Sequence, residues 1–293
     1  MKIGIYGQFY HENSETYIQL ILDALQKKNV EIVIEENFLN IINQQETTKN
    51  FFEASTFTRL DGSYDLFFSI GGDGTILKSV TYVRDLGIPI VGINTGRLGF
   101  LATIQKEKIT ESINQILDDE YVISERSLLT ISTEPSSGEI TSLNFALNEV
   151  AVNRKNTTSM IKVETKINDK YLTSYWSDGL IVATPTGSTG YSLSCGGPVI
   201  DPSTNSIVIT PIAPHNLNAR PFVIPDNSTI TLKVSGREKS YLVSMDSRIA
   251  TLENETKLVI KKAPFTIKLV QLVNDSFLKT LRKKLLWGED KRN

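Results

Sequence analysis

The sequence predicts two kinds of architecture in one chain: an N-terminal open α/β domain with a Rossmann-like parallel sheet, and a C-terminal β-rich, sandwich-like domain. Three observations carry this. Over the first hundred or so residues, apolar runs of strand length alternate with helical patterns, as a parallel sheet covered by helices requires. From about residue 121 the texture changes to short alternating runs rich in Val, Ile, Thr and Tyr. The length of 293 residues exceeds one usual domain and falls short of three. We therefore expect an α/β domain over residues 1–122, completed by a C-terminal helix at 276–288, and a β-rich domain over 123–275.

In order, residues 2–6 read as a strand, 15–28 as a helix and 31–34 as a second strand. The apolar run 65–70 is a strand that leads into a helical pattern at 75–86, followed by a strand at 88–93 and a helix at 109–119. In the second part, strands are expected at 128–133, 147–152, 160–167, 171–175 and 180–183. Others follow at 207–209, 230–234, 241–243, 257–260 and 267–272, and a helix at 276–287 ends the chain. Asn168-Asp169, Pro225-Asp226-Asn227 and Ser235-Gly236 punctuate these strands as turns do.

Composition narrows the function classes. Lys plus Arg number 31 against 33 Asp plus Glu, a net charge of −2, so no global basic field draws the chain to nucleic acid or an anionic membrane. The local cluster Lys279-Thr280-Leu281-Arg282-Lys283-Lys284 reads as the solvated face of a terminal helix. One cysteine, Cys195, cannot form an intrachain disulfide, and no apolar run reaches the ~18 residues that span a bilayer. The apolar stretch at 3–6 is too short for a signal-peptide core. These features place the chain in the cytoplasm, where the N-x-Thr matches at Asn156, Asn227 and Asn254 carry no meaning. Two histidines, His11 and His215, and one cysteine make a zinc site a poor expectation, and no protein-held metal site is assigned. A metal here would be a hard, oxygen-bound ion such as magnesium.

Four segments carry chemistry. Gly71-Gly72-Asp73-Gly74-Thr75 lies where a buried strand ends and a helix begins, the edge at which open α/β sheets bind ligands. Its glycines let phosphates approach the backbone, and the helix N-terminus offers free N–H groups to an anion. Thr75 reads as the N-cap. Asp73 would repel a phosphate unless a metal intervenes or its partner is a sugar hydroxyl, which suggests a base or a metal organiser; an exposed aspartate in a tight turn is the plainer alternative. The run from Ser177-Asp178-Gly179 through Thr184-Pro185-Thr186-Gly187-Ser188-Thr189-Gly190-Tyr191-Ser192-Leu193-Ser194 to Gly196-Gly197-Pro198 feeds a strand into a loop of hydroxyls and glycines suited to a nucleotide. A structural loop can look similar. Asn148-Glu149 means nothing alone, and Thr95-Gly96-Arg97-Leu98-Gly99-Phe100-Leu101 is a third glycine-rich loop after a strand. No Walker-type phosphate loop, no G-x-G-x-x-G after the first strand and no nucleophile elbow is present.

Taken together and in this order, these segments and Pro211-Ile212-Ala213-Pro214-His215-Asn216-Leu217-Asn218-Ala219-Arg220-Pro221 resemble the motif set of the NAD kinase family over nearly the whole chain. The glycine-aspartate motif alone is shared with lipid kinases and phosphofructokinases; the T-P-T-G-S-T run is far more specific. The resemblance implies transfer of the terminal phosphoryl group of ATP or polyphosphate to the adenosine ribose 2′-hydroxyl of NAD, between two domains, with a divalent cation such as Mg2+ bridging the donor phosphates. It implies Asp73 as the catalytic residue, and Gly71, Gly72, Gly74, Thr75 and Lys78 near phosphates. Asp73, Gly74, Phe100, Asn148, Glu149, Asp178, Thr189, Gly190, Tyr191, Ser192, Ser194 and Asp246 would contact NAD. Asp178 matches a position that contacts NAD bound mainly by a neighbouring subunit, so a homodimer or homotetramer is implied. Three departures stand out: Gly190 for a usual alanine, Trp176 for a common basic residue, and Met245-Asp246-Ser247-Arg248 at the usual D-G-Q. The rival readings are a lipid kinase sharing the glycine-aspartate motif and a non-catalytic NAD(P) sensor.

Overall fold

The computed structural model describes residues 1–8, 14–44, 54–140, 142–156 and 159–288. His11 and the threonines of the Asn156 sequon lie outside them. The chain divides into two compact units, residues 1–125 with 267–293, and residues 126–266.

The first unit is built on parallel strands. Strand β1 (Lys2–Gly7) leads to helix α1 (Ser14–Gln26), β2 (Glu31–Glu35), α2 (Glu36–Asn43) and β3 (Ser55–Phe57). Then come β4 (Leu66–Gly71), α3 (Asp73–Val83), β5 (Ile90–Asn94), the short β6 (Ile104–Gln105) and α4 (Ile109–Leu117). The pairing order β3-β2-β1-β4-β5 is parallel throughout. Order reverses between β1 and β4, so the crevice beyond their carboxyl ends is a topological switch point. There Gln8 donates its N–H to the Ile70 carbonyl at 3.2 Å, and the chain turns through Gly71 and Gly72.

The hydrophobic pattern explains these elements. Strands β4 and β5 are buried at every position, as parallel strands covered on both faces are. Helix α1 buries Ile18, Ile21, Leu22 and Leu25, the i, i+3, i+4, i+7 stripe, and joins Ile3, Ile5, Phe68 and Ile113 in one core. Each such fully buried side chain contributes about 1.5–3 kcal/mol before entropy is charged. Helix α2 and strand β3 are absent from the sequence reading, as α2 is only eight residues long and β3 three.

The second unit begins within β7 (Tyr121–Glu134) and continues with β8 (Phe145–Ala146), β9 (Glu149–Asn153), β10 (Ile161–Ile167), β11 (Lys170–Ser177) and β12 (Gly179–Ala183). A one-turn helix α5 (Tyr191–Ser194) precedes β13 (Ser206–Ile212), β14 (Phe222–Pro225), β15 (Ile230–Gly236), β16 (Ser240–Met245) and β17 (Arg248–Glu253). The sixteen-residue β18 (Lys257–Leu272) starts in this unit and ends in the first, where Leu269 pairs with Ile90; α6 (Phe277–Leu285) follows. The sequence reads β18 as two strands because Lys261, Lys262 and Pro264 interrupt the apolar pattern; the strand runs through them with Lys261, Lys262 and Pro264 exposed.

Within this unit β11-β10-β15-β18 pair antiparallel, and β14-β13-β12-β9-β16-β17 form a second antiparallel sheet. Side chains from both, among them Val163, Leu232 and Leu258 from one and Val152, Val182, Ile209 and Val243 from the other, share one core, the sandwich the sequence predicts. The Asn168-Asp169 turn joins β10 to β11 with both residues at positive φ, as a two-residue hairpin demands. The sequence reading passes over β14 and β17.

Candidate active site

The glycine-aspartate turn closes β4 and opens α3. Gly72, not Thr75, is the N-cap, so the cap lies three residues earlier than the sequence suggests, with Asp73 in the first turn. Thr75 is instead buried beneath the turn, where its hydroxyl bonds Gln8 Oε1 at 3.3 Å. That explains Gly71, which has φ +152° and where a Cβ would stand 2.2 Å from Thr75 Oγ1. At Gly72 and Gly74, by contrast, a Cβ would meet no protein atom within 4 Å. No side chain caps the first turn of α3, where the Thr75 N–H already turns back onto the Gly72 carbonyl at 3.0 Å; the start of the helix at Asp73 and Gly74 is the end at which an anion is favoured. Lys78 is exposed on the same helix.

Asp73 is less solitary than its glycine neighbours suggest. Its Oδ2 accepts the Phe100 N–H at 2.8 Å, and its Oδ1 accepts those of Leu101 and Ala102, each at 3.0 Å. The carboxylate therefore fastens the 95–102 loop to α3, and Gly99 is the residue that lets it do so: a Cβ there would lie 1.9 Å from Asp73 Oδ1. Asn94, at the end of β5, shapes the same loop by donating to the carbonyls of Arg97 and Ala102 and accepting from Gly96. Sequence reasoning missed Asn94; a polar residue closing an all-apolar strand is the signal that marks it. An ionised carboxylate offers about four acceptor positions. Three are used, and the remaining one is on Oδ2. Phe100 itself packs against Phe277 of α6 at 6.3 Å between ring centroids, with Lys284 Nζ 5.7 Å from its ring.

In the second unit the site is built around the first residues of β9. Asn148 Oδ1 and Glu149 Oε2 are adjacent buried polar atoms with no protein hydrogen-bond partner, as Ser69 Oγ and Ser206 Oγ also are, and so are open to a ligand or to water. Glu149 is 9% exposed, and burial together with the nearby Asp246 charge pushes its carboxyl up to about 8, against the Tyr191 N–H that favours its ionised form. Two supports fix the pair. Thr184, at the end of β12, donates its hydroxyl to the Leu147 carbonyl at 2.6 Å and its N–H to the Asn148 carbonyl at 2.9 Å. Asp246 accepts the N–H groups of Leu147, Asn148 and Glu149 at 2.9, 2.8 and 3.3 Å.

The hydroxyl-rich loop folds over this start. Gly187 sits so close to Asn148 that a Cβ would lie 2.0 Å from its carbonyl oxygen. Gly190 lies next to both site side chains, its Cβ direction pointing to Glu149 Oε2 at 3.2 Å and Asn148 Nδ2 at 3.4 Å. Thr189 is half-buried and its hydroxyl bonds the Thr186 carbonyl at 3.1 Å. Tyr191 and Ser194 on α5 are exposed. Asp178 is half-exposed and paired with Arg154 at 2.8 Å.

Two residues expected to touch NAD lie elsewhere. Ser192 is fully buried and bonds Thr210 Oγ1 at 2.8 Å, so it anchors α5 to β13 instead of facing a ligand. The Asp246 side chain is 2% exposed and spends its carboxylate on backbone N–H groups, so it bears on the site only through Asn148 and Glu149. Thr184 is a structural threonine that the dense run of hydroxyls concealed, and Thr210 on β13 is the partner outside that run which holds Ser192.

Among the described residues no helix is long and apolar enough to cross a membrane. Two family models match the chain: the ATP-NAD kinase N-terminal domain over residues 3–121 and the ATP-NAD kinase C-terminal domain over residues 147–272. An NAD kinase of Christiangramia forsetii is 64% identical over 294 residues, covering 100% of each chain. One of Flavobacterium johnsoniae is 56% identical over 296 residues, again covering 100% of each. Among solved structures, an NAD kinase from Archaeoglobus fulgidus in complex with ATP matches with TM-score 0.75 at 26% identity, over 98% of this chain and 99% of that one. A yeast NADH kinase complexed with NADH shares the fold, with TM-score 0.84 at 22% identity over 98% of this chain and 88% of that one.

Proposed function

This chain belongs to the NAD kinase family, and from that premise we propose that it transfers the terminal phosphoryl group of ATP to the adenosine ribose 2′-hydroxyl of NAD, giving NADP and ADP. The observation that carries the reading is the match to relatives named NAD kinase along the whole chain, which spans both the glycine-aspartate turn and the Asn148-Glu149 pair.

Asp73 is the catalytic residue of this reading. Phosphoryl transfer through a loose transition state needs placement and charge neutralisation more than early deprotonation. The free acceptor position on Asp73 Oδ2 takes the 2′-hydroxyl hydrogen bond. As the ribose oxygen bonds to the γ-phosphorus and the bond to the β–γ bridging oxygen breaks, the proton passes to that carboxylate and then to solvent. The three backbone donors hold the carboxylate in place, which lowers the cost of orientation. Gly72, Gly74 and the start of α3 receive donor phosphates, with Thr75 supporting the turn from below and Lys78 supplying positive charge. Phe100 offers its ring to the adenine.

Asn148 and Glu149 hold ribose hydroxyls. A neutral Glu149 both donates and accepts, so one carboxyl serves a hydroxyl in either sense. Thr189, Gly190, Tyr191 and Ser194 line the same nucleotide. A hard cation such as magnesium would come with the donor as part of that substrate, held by phosphate and water oxygens, and would neutralise phosphate charge. Asp178 reaches the NAD of a neighbouring copy in a homodimer or homotetramer, and exposed Trp176, Leu217, Phe222 and Val223 supply apolar surface for such contacts. We place the activity in the cytoplasm, where a single unpaired cysteine stays reduced.

The test incubates the protein with NAD, ATP and magnesium and reads NADP through a strictly NADP-dependent dehydrogenase. NADP formation establishes the kinase. NAD binding without product from ATP or polyphosphate would indicate a sensor, and absence of binding a different acceptor.

A further inference from the structure

Asp246 and Arg248 sit at the base of the β16–β17 hairpin, whose two-residue loop is Asp246-Ser247. Asp246 adopts φ +53°, which turns its N–H onto the Glu149 carbonyl at 3.0 Å and its carboxylate onto three consecutive N–H groups of residues 147–149. Arg248 grips the strand segment just before them. Its Nη1 donates to the Leu143 carbonyl at 2.6 Å and its Nη2 to the Phe145 carbonyl, while its Cζ lies 5.0 Å from the Phe145 ring centroid. The same guanidinium stands 3.8 Å from the Asp246 carboxylate. One hairpin thus clamps both ends of residues 143–149, and nothing in this set of bonds is needed to hold β16 to β17, which already pair through six registered positions.

We propose that Arg248 is a positioning residue of the NAD site: with Asp246 it forms a brace that sets the backbone from which Asn148 and Glu149 reach the dinucleotide. This rests on the assignment of those two residues to NAD. A forked guanidinium suits this place because two carbonyls of different residues and one aromatic face are met at once by donors fixed in one plane; an ammonium has three rotatable donors on a point charge and no plane to lay on the Phe145 ring. The brace touches only residues 143–149 of the second unit, whereas Gly72 and Gly74, read as receiving donor phosphates, belong to the first.

The test measures NAD binding by calorimetry, KM for NAD and for ATP, kcat, and thermal unfolding, on the full chain. Arg248→Met keeps the length and apolar stem but leaves two carbonyls and Asp246 without their partner. We expect NAD binding weakened about tenfold and KM for NAD raised in proportion, the scale of one charge-assisted hydrogen bond, with KM for ATP within about twofold. Arg248→Lys recovers part of the loss, and it carries the same test where the methionine variant does not fold. A folded Arg248→Met protein with unaltered NAD affinity overturns the proposal, as does an equal loss for NAD and ATP, or an Arg248→Lys protein indistinguishable from wild type. Wild-type protein that binds no NAD overturns the functional reading itself and, with it, the assignment of the brace to NAD.

Discussion

Replacing Glu149 by glutamine isolates what its buried carboxyl does to the fold. In the native protein this group titrates at about 8 instead of 4.5, because burial and the Asp246 charge oppose ionisation. The native state therefore holds the proton more tightly than the unfolded chain does. Below pH 4.5 both states are protonated and no penalty exists; as pH rises from there toward 8, the unfolded chain alone ionises and stability falls. At 1.36 kcal/mol per pH unit the whole interval amounts to at most ~5 kcal/mol, and partial relaxation around the charge brings the expected loss to about 2–4 kcal/mol. Glutamine has nearly the same shape and no proton to lose, so Glu149→Gln should lack this slope. The assay is urea unfolding of both proteins at pH 5, 6, 7, 8 and 9, with the difference in free energy plotted against pH. Other titrating groups cancel in that difference, apart from the coupling to Asp246. The variant should gain on wild type steadily from pH 5 to 8 and then level off. Parallel curves would show that Glu149 is ionised at neutral pH in the native protein, and the neutral-carboxyl account of ribose binding would fail.

Three further outcomes follow from the geometry. Asp73→Asn should fold but turn over about 10²–10⁴-fold more slowly in the NADP-forming assay, because an amide nitrogen replaces one acceptor and cannot take the proton; near-normal kcat removes Asp73 from the chemistry. Gly99→Ala should lower kcat by about 10²-fold and unfold more easily, since its Cβ would stand 1.9 Å from Asp73 Oδ1 and must displace either the carboxylate or the loop; wild-type kinetics would show that the carboxylate does not depend on this loop. Gly190→Ala places a methyl 3.2 Å from Glu149 Oε2, tight by a few tenths of an ångström, so KM for NAD should change several-fold while melting shifts little; a large loss of stability would mean that the loop cannot give way.

Much of the scaffold was legible because it depends on local pattern. The strands at 66–71 and 90–94 are unbroken apolar runs, and the α1 stripe repeats at helical spacing, so each could be placed from its own residues. The α3 boundary was misread at Thr75 for a local reason too. A hydroxyl before an apolar pattern signals an N-cap, but glycine at position 72 fills that role and the threonine is needed as packing against Gly71. The motifs singled out segments that the structure places at strand ends and helix starts, yet they could not tell which members face outward. Ser192 and Ser194 are two residues apart in one hydroxyl-rich run, and only the pairing of Ser192 with Thr210 on β13 decides that the first is structural.

What the sequence hides is the way the carboxylates of Asp73 and Asp246 are fastened within their units. Asp73 is tied to residues 27–29 positions away, and Asp246 to residues 97–99 positions away. In both, a carboxylate accepts three successive backbone N–H groups, yet one is read as catalytic and the other as a support. Exposure separates them: Asp246 has its side chain 2% exposed and its carboxylate enclosed by bonds and Arg248, whereas Asp73 is half-buried and keeps an acceptor position on Oδ2. A triple N–H clamp lowers the orientational freedom of whichever carboxylate it holds, so the same local device gives a rigid brace when sealed and a pre-aimed acceptor when open. It follows that substitution at Asp246 should act on stability and NAD binding together, while substitution at Asp73 should act chiefly on turnover. Asp246→Asn, which keeps the shape but exchanges one acceptor for a donor facing backbone N–H groups, should cost about 1–3 kcal/mol in urea unfolding and raise KM for NAD. A variant at Asp246 that loses turnover with unaltered stability and unaltered NAD affinity would reverse the two assignments.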